Sequence, residues 1–168
     1  TRRSAAMIDL DSLLRESRPV FEGLGWNIAL WEIESSHATL RYSYFSLPEG
    51  VSLGPSAALV RALEGRRLPL AKVPRVAEVV RNQRGVFAAD LPQVGAALVS
   101  KLDLPSGDVE GQLKEAGFLR GAFAPVFVQE RVRYVLLVSG QRLSERDFAA
   151  VQLFAAMISA AEQVSELG

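Results

Sequence analysis

The chain of 168 residues contains no cysteine and one histidine, His37. Without thiols there is no disulfide, thiolate nucleophile, zinc–thiolate centre or thioether link to a cofactor. A lone histidine cannot by itself make a multi-histidine metal site, and a Ser-His-Asp arrangement would need that same residue. An excess of either charge is also missing, because 19 basic and 19 acidic side chains cancel. Such a balance does not build the broad positive field that non-specific nucleic-acid binding requires, so no nucleic-acid partner is expected. Lysine is confined to Lys72, Lys101 and Lys114, and asparagine to Asn27 and Asn82. No apolar run approaches the roughly 20 residues that span a bilayer. No membrane partner is therefore expected, and a cytoplasmic location is.

What is present suits a globular core: 49% of residues are hydrophobic and 23% charged,. The length fits one domain over residues 1–168. A start at Thr1 points to a processed chain or a piece of a longer protein.

Leu10, Leu13, Leu14, Phe21 and Leu24 recur at helical spacing, with charged residues between them,. Pro19 interrupts that helix, and Gly23 and Gly25 end it. Residues 26–34 and 38–45 read as two strands joined by the polar link Ser35-Ser36-His37, a hairpin. Simple alternation puts Leu40, Tyr42 and Tyr44 on one face of the second strand and Arg41, Ser43 and Phe45 on the other. Ser56 is a candidate N-cap for a helix ending before Gly65. Pro69 and Pro74 bracket a linker. Val76, Val79 and Val80 mark a further helix, and residues 86–90 a short strand. Residues 94–102 read as helical and residues 103–108 as a turn. Residues 118–129 and 132–139 form two apolar strands around a tight turn. Ser144 and Asp147 have the spacing of a capping box before the last helix. The hairpins imply a central antiparallel sheet of about five to six strands. An α+β fold with the N- and C-terminal helices packed on one face is the simplest architecture.

From Gly117 the pattern becomes more specific. Gly117-Phe118-Leu119-Arg120-Gly121-Ala122-Phe123-Ala124-Pro125-Val126 resembles the segment that GAF domains carry before their last hairpin. Tyr134 to Ser139 is similar to the final GAF strand, and Leu143-Ser144-Glu145-Arg146-Asp147-Phe148 to the entry of the last GAF helix. Gly85 to Asp90 resembles the short central strand that ends in Asp. PAS domains share a related layout. The resemblance implies a non-catalytic sensory or regulatory domain of a bacterial signalling protein. Such a domain binds a small molecule, mediates dimerisation, or does both, beside an output domain such as a kinase, a cyclase or a transcription regulator. It also implies which cofactors to drop. Covalent bilin attachment and the methionine sulfoxide reductase chemistry of this fold both need a cysteine. Haem needs an axial ligand, and the only histidine falls in a hairpin turn. The Asn-Lys-x-x-x-Phe-x-x-x-Asp-Glu signature of cyclic-nucleotide binding is missing. No cofactor is expected.

Candidate pocket residues are Tyr42, Tyr44, Phe87, Asp90, Phe118 and Arg120. Trp31, Tyr42, Tyr44 and Phe45 form an aromatic cluster that suits either core packing or a heterocycle. Arg120 sits in an otherwise apolar strand. A buried guanidinium needs an anion, so it is expected to pair with a protein carboxylate such as Asp90 or with an anionic ligand, unless it faces solvent. The last helix carries Phe148, Val151, Phe154, Ala155, Met157, Ile158, Ala161 and Val164, more than one apolar stripe needs. Leu10, Leu13, Leu14, Phe154, Met157, Ala161 and Val164 are therefore candidates for a homodimer interface built from terminal helices. An open cavity with converging polar groups would favour a ligand-binding module. A pocket filled by Phe and Leu would favour a docking module alone.

Overall fold

The computed structural model describes residues 9–46, 60–102 and 107–167. The candidate cap Ser56 and part of the turn expected at 103–108 lie outside them. Six strands form one antiparallel sheet in the order β3-β2-β1-β6-β5-β4. They are β1 (Asn27–Glu34), β2 (His37–Tyr44), β3 (Arg67–Pro69), β4 (Val86–Ala88), β5 (Arg120–Val128) and β6 (Arg131–Gly140). The helices are α1 (Leu10–Glu16), α2 (Arg18–Leu24), α3 (Pro74–Asn82), α4 (Leu91–Lys101), α5 (Val109–Glu115) and α6 (Phe148–Leu167); residues 60–63 are also helical.

Pro19 divides the first helix, as its missing N–H and fixed φ dictate: it occupies the first turn of α2, where neither is a liability,. Gly25 closes α2 in the left-handed conformation, at φ 70°,. The capping box at Ser144 and Asp147 is present, with the Ser144 N–H donating to Asp147 Oδ2 at 2.9 Å. Gln129 and Glu130 join β5 to β6 at φ 53° and 66°, a left-handed pair that matches the twist of a two-residue hairpin,. The expected linker between Pro69 and Pro74 instead contains the end of edge strand β3, which pairs with β2, followed by one 3-10 turn. Helix α5 answers to no feature read from the sequence.

The sheet has two unlike faces. On one, the terminal helices α1, α2 and α6 cover Ile28, Leu30, Ala122, Ala124, Val126, Tyr134, Leu136 and Val138. Phe21 of α2 meets Phe154 of α6 edge to face, with centroids 5.2 Å apart. Such a pair adds about 0.5–1.5 kcal/mol beyond burial. The other face carries Trp31, Ile33, Ala38, Leu40, Phe123 and Val135, packed against α3, the start of α4 and Leu63. The N- and C-terminal helices thus share one face as expected, and the middle of the chain roofs the other.

A β-bulge decides which residues of β2 face which way. Tyr42 stands opposite Leu30 and Leu40 opposite Trp31, so Arg41 is an extra residue with no counterpart on β1,. Ala38 and Leu40 join the cluster on the α3 face, whereas Tyr42 and Tyr44 join the one under the terminal helices. Simple alternation across residues 38–45 is therefore corrected: the bulge flips the strand at Arg41.

Candidate functional site

A cavity of about 460 Å³ lies between the second face of the sheet and its helical roof. Trp31, Leu40, Ser43, Phe123, Leu137 and Ser139 form its floor; Val76, Leu91, Val94 and Leu98 are on the roof. Phe45 and Phe118, whose rings meet at 5.5 Å, line the same space. Gly121 helps shape the floor: a Cβ there would lie 2.7 Å from Leu91 Cδ1 and 2.9 Å from Leu137 Cδ1. The glycine lets both leucines cross the strand.

Polar groups of the wall come mainly from α3, α4 and the 3-10 turn before α3. Arg75 donates to Asp90 Oδ2 at 2.9 Å and lies 3.5 Å from Glu78 Oε1. Lys72 Nζ donates to the Lys101 carbonyl at 3.0 Å, tying that turn to the end of α4. Asn27 Oδ1 accepts from the Ser46 N–H at 2.8 Å, and Ser43 donates to Glu64 at 2.9 Å.

Of the six residues expected at a pocket, Asp90 and Phe118 line this cavity. Tyr42 and Tyr44 do not, because the bulge turns them toward α2. The Tyr42 hydroxyl accepts from Arg18 Nε at 3.0 Å, and the Tyr44 hydroxyl donates to Glu22. That bond, with burial second, holds the Tyr44 phenol above its ordinary pKa. Phe87 pairs with Ala122 and packs into the terminal-helix core. Arg120 is exposed and donates to the Leu143 carbonyl at 3.5 Å. The expected Arg120–Asp90 pair is not formed, since Asp90 takes Arg75. The reason is strand parity: Gly121, one residue on, faces the cavity floor. Arg75, Lys72, Glu78 and Ser139 were not anticipated. Val76, Val79 and Val80 predicted α3, and Arg75 falls one position before the first of them.

The opposite face holds one buried polar cluster. The fully buried Tyr134 hydroxyl donates to Glu162 of α6 and accepts from Arg41 Nη1 at 2.6 Å. Arg41 also lies 3.6 Å from Asp11 of α1. Burial, reinforced by the Glu162 bond, pushes the Tyr134 phenol well above its ordinary pKa,. The bulge residue thereby ties β2 to β6 and to both terminal helices.

Several interface candidates prove to be core. Leu10, Leu14 and Phe154 are buried in the terminal-helix cluster, and Leu13 packs against it; Ala161 is half-buried. Met157 and Val164 are exposed, at 47% and 42%, together with Leu153 at 65%. With Ala150 and Ala160, also exposed, they follow a 3-4 spacing along α6. Seven residues per two turns is the seam of a coiled coil. The excess of apolar residues signalled such a face, but which residues the core would consume was not legible.

No family model matches this sequence, and no curated protein matches it. Solved structures do. A GAF domain/HD domain protein from Geobacter sulfurreducens superposes with a TM-score of 0.63 at 15% identity, over 95% of each chain. The phycoerythrobilin-bound GAF domain from a cyanobacterial phytochrome gives 0.60 at 16% identity, over 99% of this chain and 91% of that one. The chain has the GAF fold. A third GAF domain, from a two-component sensor histidine kinase of Bacillus halodurans, gives 0.58 at 11% identity, over 95% of this chain and 97% of that one. In the GAF fold seen here, the cavity lies between the sheet and the middle helices, and the terminal helices occupy the far side. Among the described residues no group of three or more His, Asp or Glu could hold a metal ion, and no helix is long and apolar enough to cross a membrane.

Proposed function

We infer that this chain is a non-catalytic sensory or regulatory module of a signalling protein, which takes a small molecule in the cavity and pairs with a second copy through α6. The observation that carries the reading is the cavity itself. About 460 Å³ falls within the roughly 300–1,000 Å³ of small-molecule sites, and mostly apolar walls with a few converging polar groups fit that class,. Had phenylalanine and leucine filled the space, docking alone would be the better reading. The GAF fold agrees with such a role, and one neighbour with that fold comes from a sensor histidine kinase; an output domain such as a kinase, a cyclase or a transcription regulator is the partner this implies.

A covalent bilin has no cysteine to attach to. Haem finds no axial histidine at the cavity, because His37 opens β2 at the hairpin and does not line it. The second copy is favoured by the form of the α6 stripe. Ala150, Leu153, Met157, Ala160 and Val164 combine small and large apolar side chains at coiled-coil spacing, and Gln152, Ala156 and Gln163 beside them are uncharged. An identical helix meets these demands.

Native mass spectrometry of the purified chain tests both halves at once. The expected spectrum is a dimer that keeps a small-molecule adduct through gentle desolvation. A clean monomer at high concentration, free of any adduct, would remove the proposal.

A further inference from the structure

Two buried polar side chains on the cavity floor point to what a ligand there would carry. Asn27 opens β1 and pairs with Ser139 of β6, so both side chains stand on the same face of the sheet, and both line the cavity. Asn27 is 4% exposed and Ser139 2%. One bond orients the Asn27 amide: Oδ1 accepts from the Ser46 N–H at 2.8 Å, which leaves its NH2 group as a donor,. Among the described residues neither that NH2 group nor the Ser139 hydroxyl has a hydrogen-bond partner. Neither is sealed off. Among the described residues that are not exposed, Asp90 Oδ1 is the one unpartnered side-chain polar atom with no accessible surface left. Asn27 Nδ2 and Ser139 Oγ therefore keep some, and the space they border is the cavity. Gly121 stands opposite Ser139 on β5 and brings no side chain to cover the hydroxyl.

Residues directly opposite in an antiparallel pair hold their Cβ atoms about 4.5–5.5 Å apart. One ligand oxygen placed between Asn27 and Ser139 can therefore accept from both. A hydrocarbon filling the same space would displace water from two donors and leave them unbonded, which is costly. Trp31, Phe45, Phe118, Phe123 and Leu98 present flat or branched apolar surface to the rest of the ligand,. Resting on the reading that the cavity takes a small molecule, we propose that its ligand is an apolar ring compound carrying an oxygen acceptor, a carbonyl or a carboxylate, received by Asn27 Nδ2 and Ser139 Oγ.

Calorimetric titration of the whole chain with three probes on one bicycle tests this: 1-indanone, indane-1-carboxylate and indane. At least one oxygen-bearing probe is expected to bind at least about tenfold more tightly than indane, because a site built to hydrogen-bond an oxygen rejects the analogue that lacks it. A lead for 1-indanone identifies a carbonyl ligand, and a lead for the carboxylate an ionised acid. In Ser139→Ala and in Asn27→Leu the advantage of the leading probe should fall to less than about threefold. Indane binding as tightly as both oxygen-bearing probes overturns the ligand class and leaves the cavity reading standing. An advantage that survives either substitution overturns the assignment to this pair. If none of the three binds at near-millimolar concentration, both the class and the cavity reading fall. Asn27→Leu gives up the Ser46 bond and can cost stability, whereas the Ser139 hydroxyl bonds to nothing among the described residues, so Ser139→Ala decides even if the other variant folds poorly.

Discussion

The two faces of the sheet are cut from the same strands and do opposite things. Under the terminal helices, Ile28, Leu30, Val126, Tyr134, Leu136, Val138 and Ile158 are at most 1% exposed, and the one polar hydroxyl among them is bonded on both sides. Across the sheet, Ala29, Leu98 and Leu137 are only partly buried, around a space that no side chain of the described residues fills. Neighbouring residues of one strand thus serve different ends, stability on one side and an opening on the other. A single residue of register separates the two, and Arg41 is where β2 crosses over.

The largest expected contrast is between equal truncations on the two sides. Ile158→Ala should cost about 2–5 kcal/mol, since it opens a hole in a closed core,. Leu98→Ala should cost about 1 kcal/mol or less, because the space beside it is already open,. Urea unfolding of both variants measures this, and equal losses would break the contrast between the faces.

Tyr134→Phe comes next. Removing the hydroxyl takes the close hydrogen-bond partner from the buried Glu162, which is left with Arg41 at 3.9 Å, for a loss of about 1–3 kcal/mol at neutral pH,. The pH dependence has a definite sign. The folded protein holds the phenolic proton at a pH where the unfolded chain has released it, so the phenol's contribution is complete below the ordinary tyrosine pKa of about 10. It declines as pH rises past that value, because the unfolded state then binds fewer protons than the folded one,. Alkaline titration of stability should therefore fall more steeply for the unaltered chain than for Tyr134→Phe. Parallel curves would mean that the buried cluster carries no proton linkage.

The smallest effect is the sharpest on placement. Tyr42→Phe removes one exposed hydrogen bond to Arg18 and should cost less than about 1 kcal/mol,. It should leave the calorimetric affinity of a small molecule bound in the cavity unchanged, because the ring faces the helices. A drop in affinity would put Tyr42 back at the cavity.

Much of this was readable from the residues, and the misses share a cause. Helix ends, the capping box and the two main hairpins are written in local chemistry, such as Pro19, Gly25, Ser144 and Asp147, and the structure follows them. Asp90 and Phe118, which line the cavity, each sit at one end of a short, recognisable segment. Tyr42, Tyr44 and Arg120 were misplaced because strand parity depends on pairing. Nothing in residues 38–45 announces that Arg41 lacks a partner on β1. Arg75 and Lys72 were missed because their role arises from how α3 and the turn before it approach Asp90 and Lys101, contacts made across the chain. The free stripe of α6 was visible only as surplus, since its buried and exposed residues are equally apolar.

The two-residue turn at Gln129 and Glu130 bears on the entropy of assembly. It lets β5 and β6 meet by closing a very short loop, which costs the chain little freedom,. β1, by contrast, reaches β6 only after the whole middle of the sequence has been looped out. The core under the terminal helices draws on that central hairpin and on α6, which follows it directly, and also on α1, α2 and β1 from the start of the chain. The cavity needs β1, β2, α3 and α4 brought together from distant stretches. Both faces of the sheet therefore rest in part on contacts of high sequence separation, the ones a chain must give up most freedom to make,.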